Sequence, residues 1–222
     1  MKRIKITAFL FLLCTIKLFA QNEAQWSGVI TELSGTVELK PAGQRDFVPA
    51  KAGDMVVKDT VVSAGFKSSA RISIGSTTIT VRPLTRLSLA EITASSGTET
   101  LNVNLQTGRV RVDVNPPAGT RASTSIRSPI ATASVRGTIF EFDTQTLTVL
   151  EGAVAFQGSN GAVMMVYAGS TSDIYDNNKA ADPIQTNAVQ LMLPPLPGSN
   201  SGFRDGGMAE IKGEAGFKFI LR

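Results

Sequence analysis

The sequence predicts an all-β fold, a jelly-roll-like β-sandwich of many short strands, and three observations lead there. From Trp26 to about Tyr175, Val, Ile, Leu and Thr alternate with polar residues, the period-2 pattern of half-buried strands. No segment sustains an apolar stripe at the helical period. Turn signals built on Gly recur at short, regular intervals, as they do in sandwiches and barrels of short strands.

Taken in order, the chain of 222 residues opens with MKRIKITAFLFLLCTIKLFAQ. Lys2, Arg3 and Lys5 form a positive n-region, residues 6–19 are mostly apolar, and Ala20 is a small residue for cleavage. Residues 1–20 therefore read as a secretory signal peptide, because a membrane anchor needs about 20 apolar residues. Leu18 fits the small-x-small rule poorly, which leaves the cleavage position open. The leader holds four of the 22 basic groups and none of the 18 acidic ones, so the exported chain carries 18 of each and is neutral. A basic nucleic-acid binder is not supported. Cys14, the only cysteine, follows Leu12 and Leu13 rather than small residues, so lipidation there is not expected. Without it the exported chain has no disulfide, and packing must hold the fold.

Residues 25–175 are expected to form the domain, with strands such as GTVELK, ARISI, TTITVR, TLNVNL, GRVRVDV, TIFEFD and AVAFQ. Four times the apolar phase flips: Ile74 to Ile79, Leu105 to Val110, Val135 to Phe140, and Val149 to Val154. One continuous strand cannot do this without turning apolar side chains outward. Two-residue hairpins can, and they predict turns at Ser76-Thr77, Thr107-Gly108, Gly137-Thr138 and Glu151-Gly152, where Gly supplies φ > 0. A bulge is the competing account. A faint repeat pairs LSGTVEL (33–39) and Ala52-Gly53 with LEGAVAF (150–156) and Ala168-Gly169, which would fit a pseudo-duplicated sheet. Residues 176–207, rich in Pro, Gly, Asn and Asp, read as a linker, and 208–222 as a tail or one extra strand.

Chemistry finds little purchase. The chain has no His, and its one Cys lies in the leader, so nucleophilic catalysis of the Ser–His or Cys–His kind is unavailable. Lys67 beside Ser68 and Ser69 lacks any sign of a third group, and strand-edge polarity explains them. Asp173, Asp176, Asn177 and Asn178 lack the spacing of a calcium loop. Glu141 and Asp143 alternate with Phe140 and Phe142 and so point away from the core, on a solvated face. No enzyme activity, cofactor or metal site is expected. Residues 58–136 carry ten basic and four acidic groups, against one and six in 137–182. Arg109, Arg111, Arg121, Arg127 and Arg136 would steer an acidic partner if they shared a face. The favoured alternative is cross-strand pairing with acids.

The run SPIATASVRGTIFEFD, followed by LTVLEGAVAF and a closing Ala-Gly, resembles the core signature of FecR-like domains. The matching residues are Pro129, Ala131, Ala133, Val135 to Thr138, Phe140, Leu150 to Gly152 and Val154, with GRVRVDV as the upstream strand, and the likeness covers about residues 30–170. It implies a periplasmic all-β module of ferric-citrate-type signalling regulators. Such regulators carry an anti-sigma segment and a spanning helix ahead of this domain, whereas this chain opens with a leader, so sigma-factor control is not carried over. What is expected is an exported, non-enzymatic envelope module that binds another envelope protein through sheet edges or turns. No transmembrane segment is expected to remain after leader cleavage, and the oligomeric state is left open. A peptidoglycan- or carbohydrate-binding structural module is the alternative. Gly108, Arg136, Gly137, Thr138, Phe140, Glu151 and Gly152 are the structural markers; Arg136, Arg109 and Arg111 are the candidate contacts. Gly137→Val should cost folding and Arg136→Ala should not.

Overall fold

Eighteen strands and no helix form over the residues that the computed structural model describes, 26–95, 97–175 and 177–185. In chain order they are β1 (Gly28–Ser34), β2 (Val37–Lys40), β3 (Val48–Pro49), β4 (Met55–Val56), β5 (Val61–Ala64), β6 (Ser69–Ile74), β7 (Thr77–Val81), β8 (Thr85–Ser95) and β9 (Thr98–Thr107). There follow β10 (Val110–Val114), β11 (Arg121–Arg127), β12 (Ala131–Val135), β13 (Ile139–Phe142), β14 (Thr146–Glu151), β15 (Ala153–Gly158), β16 (Met164–Tyr167), β17 (Ser170–Asp173) and β18 (Ile184–Gln185). They build two nine-stranded sheets: sheet A in the order β18-β17-β14-β13-β10-β7-β6-β1-β4, and sheet B in the order β16-β15-β12-β11-β9-β8-β5-β2-β3.

The alternation read from the sequence sets the inner faces. Ile72, Ile79, Val112, Phe140 and Phe142 from sheet A meet Leu87, Leu105, Ile126 and Phe156 from sheet B in one core. The rings of Phe142 and Phe156 touch edge to face across the two sheets, with centroids 5.8 Å apart. Each such side chain contributes about 1.5–3 kcal/mol on burial, and this core stabilises the sandwich.

Three of the four expected hairpins are corners instead. Leu105 lies near the end of β9 in sheet B while Val110 opens β10 in sheet A, and β12 to β13 and β14 to β15 likewise change sheets. A short corner and a two-residue hairpin both return an apolar side chain to the core after the same number of residues, so phase alone does not separate them. Only β6 and β7 form the expected hairpin, with Ile72 opposite Ile79 and Ile74 opposite Thr77. Its turn lies one residue earlier than expected, at Gly75-Ser76. Gly75 takes φ +54°, and the Glu99 carboxylate accepts from Ser76 N at 2.8 Å and from Ser76 Oγ at 2.6 Å. Thr77 is thereby drawn into the core, where its Oγ1 meets Thr124 Oγ1 at 3.2 Å across the sheets. Because β10 lies in the other sheet, β9 and β11 become parallel neighbours, a pairing that needs such a crossover.

The faint repeat has a structural counterpart. At 33–39 and again at 150–156 the chain leaves sheet A through a glycine of positive φ, Gly35 (+72°) and Gly152 (+77°), and enters sheet B. Each copy then adds an edge strand to sheet B and returns to pair with its own first strand: β4 with β1, and β17 with β14. The two units close opposite ends of the sandwich. The domain also continues past Tyr175. Among residues 177–185, which composition assigns to the linker, Ala180 bridges Ile174, Ala181 N donates to Asp173 O at 2.8 Å, and β18 pairs with β17. The expected leader and the segment from 186 onward, including the tail, lie outside the described residues.

Candidate functional site

The two sequence markers, Arg136-Gly137-Thr138 and Leu150-Glu151-Gly152, meet at one corner pair. Gly137 and Thr138 carry the chain from β12 to β13, and Gly152 carries it from β14 to β15 directly alongside. A Cβ on Gly152 would lie 2.7 Å from Thr138 Cγ2 and 2.9 Å from Gly137 O. Thr138 is buried, with Oγ1 lacking a hydrogen-bond partner among the described residues, and its carbonyl accepts from Val114 N at 2.9 Å. Gly137 itself does not take positive φ, and a Cβ there would come no nearer than 3.8 Å to Pro116. The left-handed turn expected at Gly137 is therefore absent, and Gly152 carries the constraint. Gly108 behaves like Gly152: with φ +88°, a Cβ would lie 2.4 Å from Thr85 Oγ1. Phe140 is fully buried, and Glu151 is exposed at the rim of this corner.

The five arginines do not share a face. Arg109 precedes β10 and Arg111 lies within it, and both stand over the outer side of sheet A. Arg109 Nη2 reaches Asp143 Oδ2 at 2.9 Å, while Arg111 and Arg82 converge on Glu141 Oε1 at 3.9 and 2.9 Å. Arg71 pairs with Glu32 at 3.1 Å on the same side. These charges on sheet A's outer face thus pair with one another, each exposed pair contributing about 0.2–1 kcal/mol.

Sheet B's outer face is different. Alternation in β11 turns Arg121, Ser123, Ser125 and Arg127 outward, and Arg136 follows β12 on the same side. No ion pair engages Arg121, Arg127 or Arg136 among the described residues. Ser123, Ser134, Ala153, Ala155, Met165 and Arg136 line a shallow trough of about 400 Å³ there.

Beside the trough runs β16, the outermost strand of sheet B. Among the described residues it pairs only with β15, so its far row of backbone N–H and C=O groups faces no described strand. The other three edges are the two-residue strands β3, β4 and β18, too short to offer much. Met165 and Tyr167 point outward from β16 at 45% and 62% exposure. The sequence reading missed this edge. Its signal, VMMVY, is a run without clean alternation, and only the absence of a neighbour makes it a site.

The other sequence candidates resolve into structure. Ser68 is buried, donating to Phe66 O and accepting from Thr36 N, and so serves a turn rather than Lys67. Asp143 Oδ1 accepts from Thr146 N at 2.9 Å and closes the β13–β14 hairpin. Among the described residues no three His, Cys, Asp or Glu side chains gather as a metal site would require, and Asp176 lies outside them. No described helix is long and apolar enough to cross a membrane.

Comparison with known proteins agrees with the corner markers. No curated protein matches the chain. Two solved structures, at 1.65 and 2.50 Å resolution, are each described as "a putative anti-sigma factor from Parabacteroides distasonis ATCC 8503". Each shares 14% identity with this chain at a TM-score of 0.46, over 59% of this chain and 62% of that one, so the chain spans under two thirds of their length. Residues 59–155 match the family model described as FecR protein, and the match contains both corner motifs. Over that span, which is under half of the chain, the protein is similar to FecR-domain proteins.

Proposed function

We propose that the protein is a non-enzymatic, signalling-associated module of the cell envelope that binds another envelope protein by strand addition at β16. The observation that carries this is the outer row of β16, unpaired among the described residues and flanked by Met165 and Tyr167 and by the Arg136 trough. Strand addition takes affinity from main-chain hydrogen bonds and specificity from alternate side-chain contacts, and β16 offers both. Arg136 is the contact residue in this reading, joined by Arg121 and Arg127. Arg109 and Arg111 have carboxylate partners on the other sheet and are secondary. The unpaired arginines favour an acidic partner strand. Export places the module where such a partner would be met.

Capture from envelope extract tests this, with Met165→Lys/Tyr167→Lys as the comparison. Lysines on a free edge block strand addition without touching the core. The wild type should retain a defined protein that the variant loses by roughly tenfold, the two melting alike. Sedimentation with isolated peptidoglycan, and no protein retained, would support the carbohydrate-binding alternative and end this reading.

A further inference from the structure

Two of the most exposed apolar side chains among the described residues stand on neighbouring corners at the end of the sandwich away from Arg136 and Tyr167. Phe66 is 73% exposed and Leu84 60%. They occupy the β5–β6 and β7–β8 corners, joined by a hydrogen bond from Leu84 N to Gly65 O at 3.2 Å.

Neither corner is loose. Ser68 N donates to Gly65 O at 3.3 Å across the Phe66-Lys67 turn, and buried Ser68 Oγ donates to Phe66 O at 3.0 Å while accepting from Thr36 N at 2.8 Å. Beneath Leu84, buried Thr85 Oγ1 donates to Arg109 O at 3.0 Å and accepts from Arg109 N at 2.9 Å. Lys67 and Leu84 both hold left-handed backbone, φ +52° and +57°. A leucine that is both exposed and left-handed gains nothing for folding, and an outlier of this kind points to function.

The cations nearby fit an anionic surface. Lys67 Nζ sits 5.6 Å from the centre of the Phe66 ring, and Arg86 follows Leu84 by two residues. Neither has an ion pair among the described residues. An aromatic and an aliphatic side chain at the tips of two braced turns, with a lysine beside them, suit a fluid interface better than a flat protein face. We propose that this end is a membrane-docking tip, at which Phe66 and Leu84 enter the headgroup layer of an anionic phospholipid bilayer and Lys67 meets lipid phosphate.

Co-sedimentation of the exported chain, purified from the envelope fraction, with phosphatidylglycerol–phosphatidylethanolamine vesicles tests it. The wild type should partition to them in preference to phosphatidylcholine vesicles. Phe66→Ser/Leu84→Ser should lower the partition roughly tenfold, and Lys67→Glu should lower it on the anionic vesicles alone. Tyr167→Lys, at the other end, should leave vesicle binding intact, which separates this tip from the β16 edge. Phe66→Trp, which removes no apolar group, should shift its emission to shorter wavelength on vesicles. An unshifted spectrum, equal sedimentation of wild type and double variant, or loss of a protein partner without vesicle binding would each overturn the tip.

Discussion

At Gly152 the backbone turns with φ +77° while Thr138 and the Gly137 carbonyl press against the position a Cβ would take. Two costs therefore fall on Gly152→Ala, left-handed strain and overlap with backbone, together about 2 kcal/mol or more. At about 2–4 °C per kcal/mol for a domain of this size, the melting temperature should drop by about 4–8 °C. Gly137→Ala meets neither cost, and should stay within about 0.5 kcal/mol of wild type. Thermal melts of the two variants decide the matter, and a larger loss at Gly137 would mean the corner is misassigned. The sequence marked this spot by its motifs and expected positive φ at both Gly137 and Gly152, of which only Gly152 takes it. Positive φ is a local geometric fact, and Glu-Gly and Gly-Thr look equally suited to it on paper.

At the scale of strands, alternation placed nearly every inward residue, including Phe140 and Phe142, because parity within a strand is fixed by the pleat. Which sheet a strand joins is a choice made by distant partners, and no local pattern encodes it. That is why the β9–β10, β12–β13 and β14–β15 corners read as hairpins, and why the parallel β9–β11 pairing had no forerunner in the sequence. The same partners extend the folding unit beyond residues 59–155. Within that span β5, β6 and β14 lose β2, β1 and β17, β15 is cut after Ala155, and Ile30, Val37, Leu39, Val56, Phe156 and Val166 leave the core. A fragment of residues 59–155 should lack a cooperative melt and associate through its bared edges, whereas 26–185 should unfold in one transition. Circular dichroism and light scattering on the two fragments check this. A cooperative, monomeric 59–155 would show the end units to be dispensable.

Across the whole molecule, charge divides by sheet. Arg71, Arg82, Arg109 and Arg111 face Glu32, Glu141 and Asp143 on sheet A, whereas Arg121, Arg127 and Arg136 on sheet B make no ion pair among the described residues. The sequence showed the basic segment and the acidic one, and posed pairing against a shared cationic face. The molecule contains some of each, since Arg109 and Arg111 enter a different sheet from Arg121. The β16 edge was not legible, because an edge among the described strands is set by distant pairing and not by any local pattern. The two proposed surfaces lie at opposite ends, leaving one free to hold a protein while the other meets lipid. Hydrogen–deuterium exchange on the chain alone and in complex with its captured partner tests the central claim most directly. Strand addition at β16 predicts new protection of amides in 163–167, with the outer face of sheet A unchanged. Protection confined to sheet A, with 163–167 exchanging as in the free chain, would contradict it.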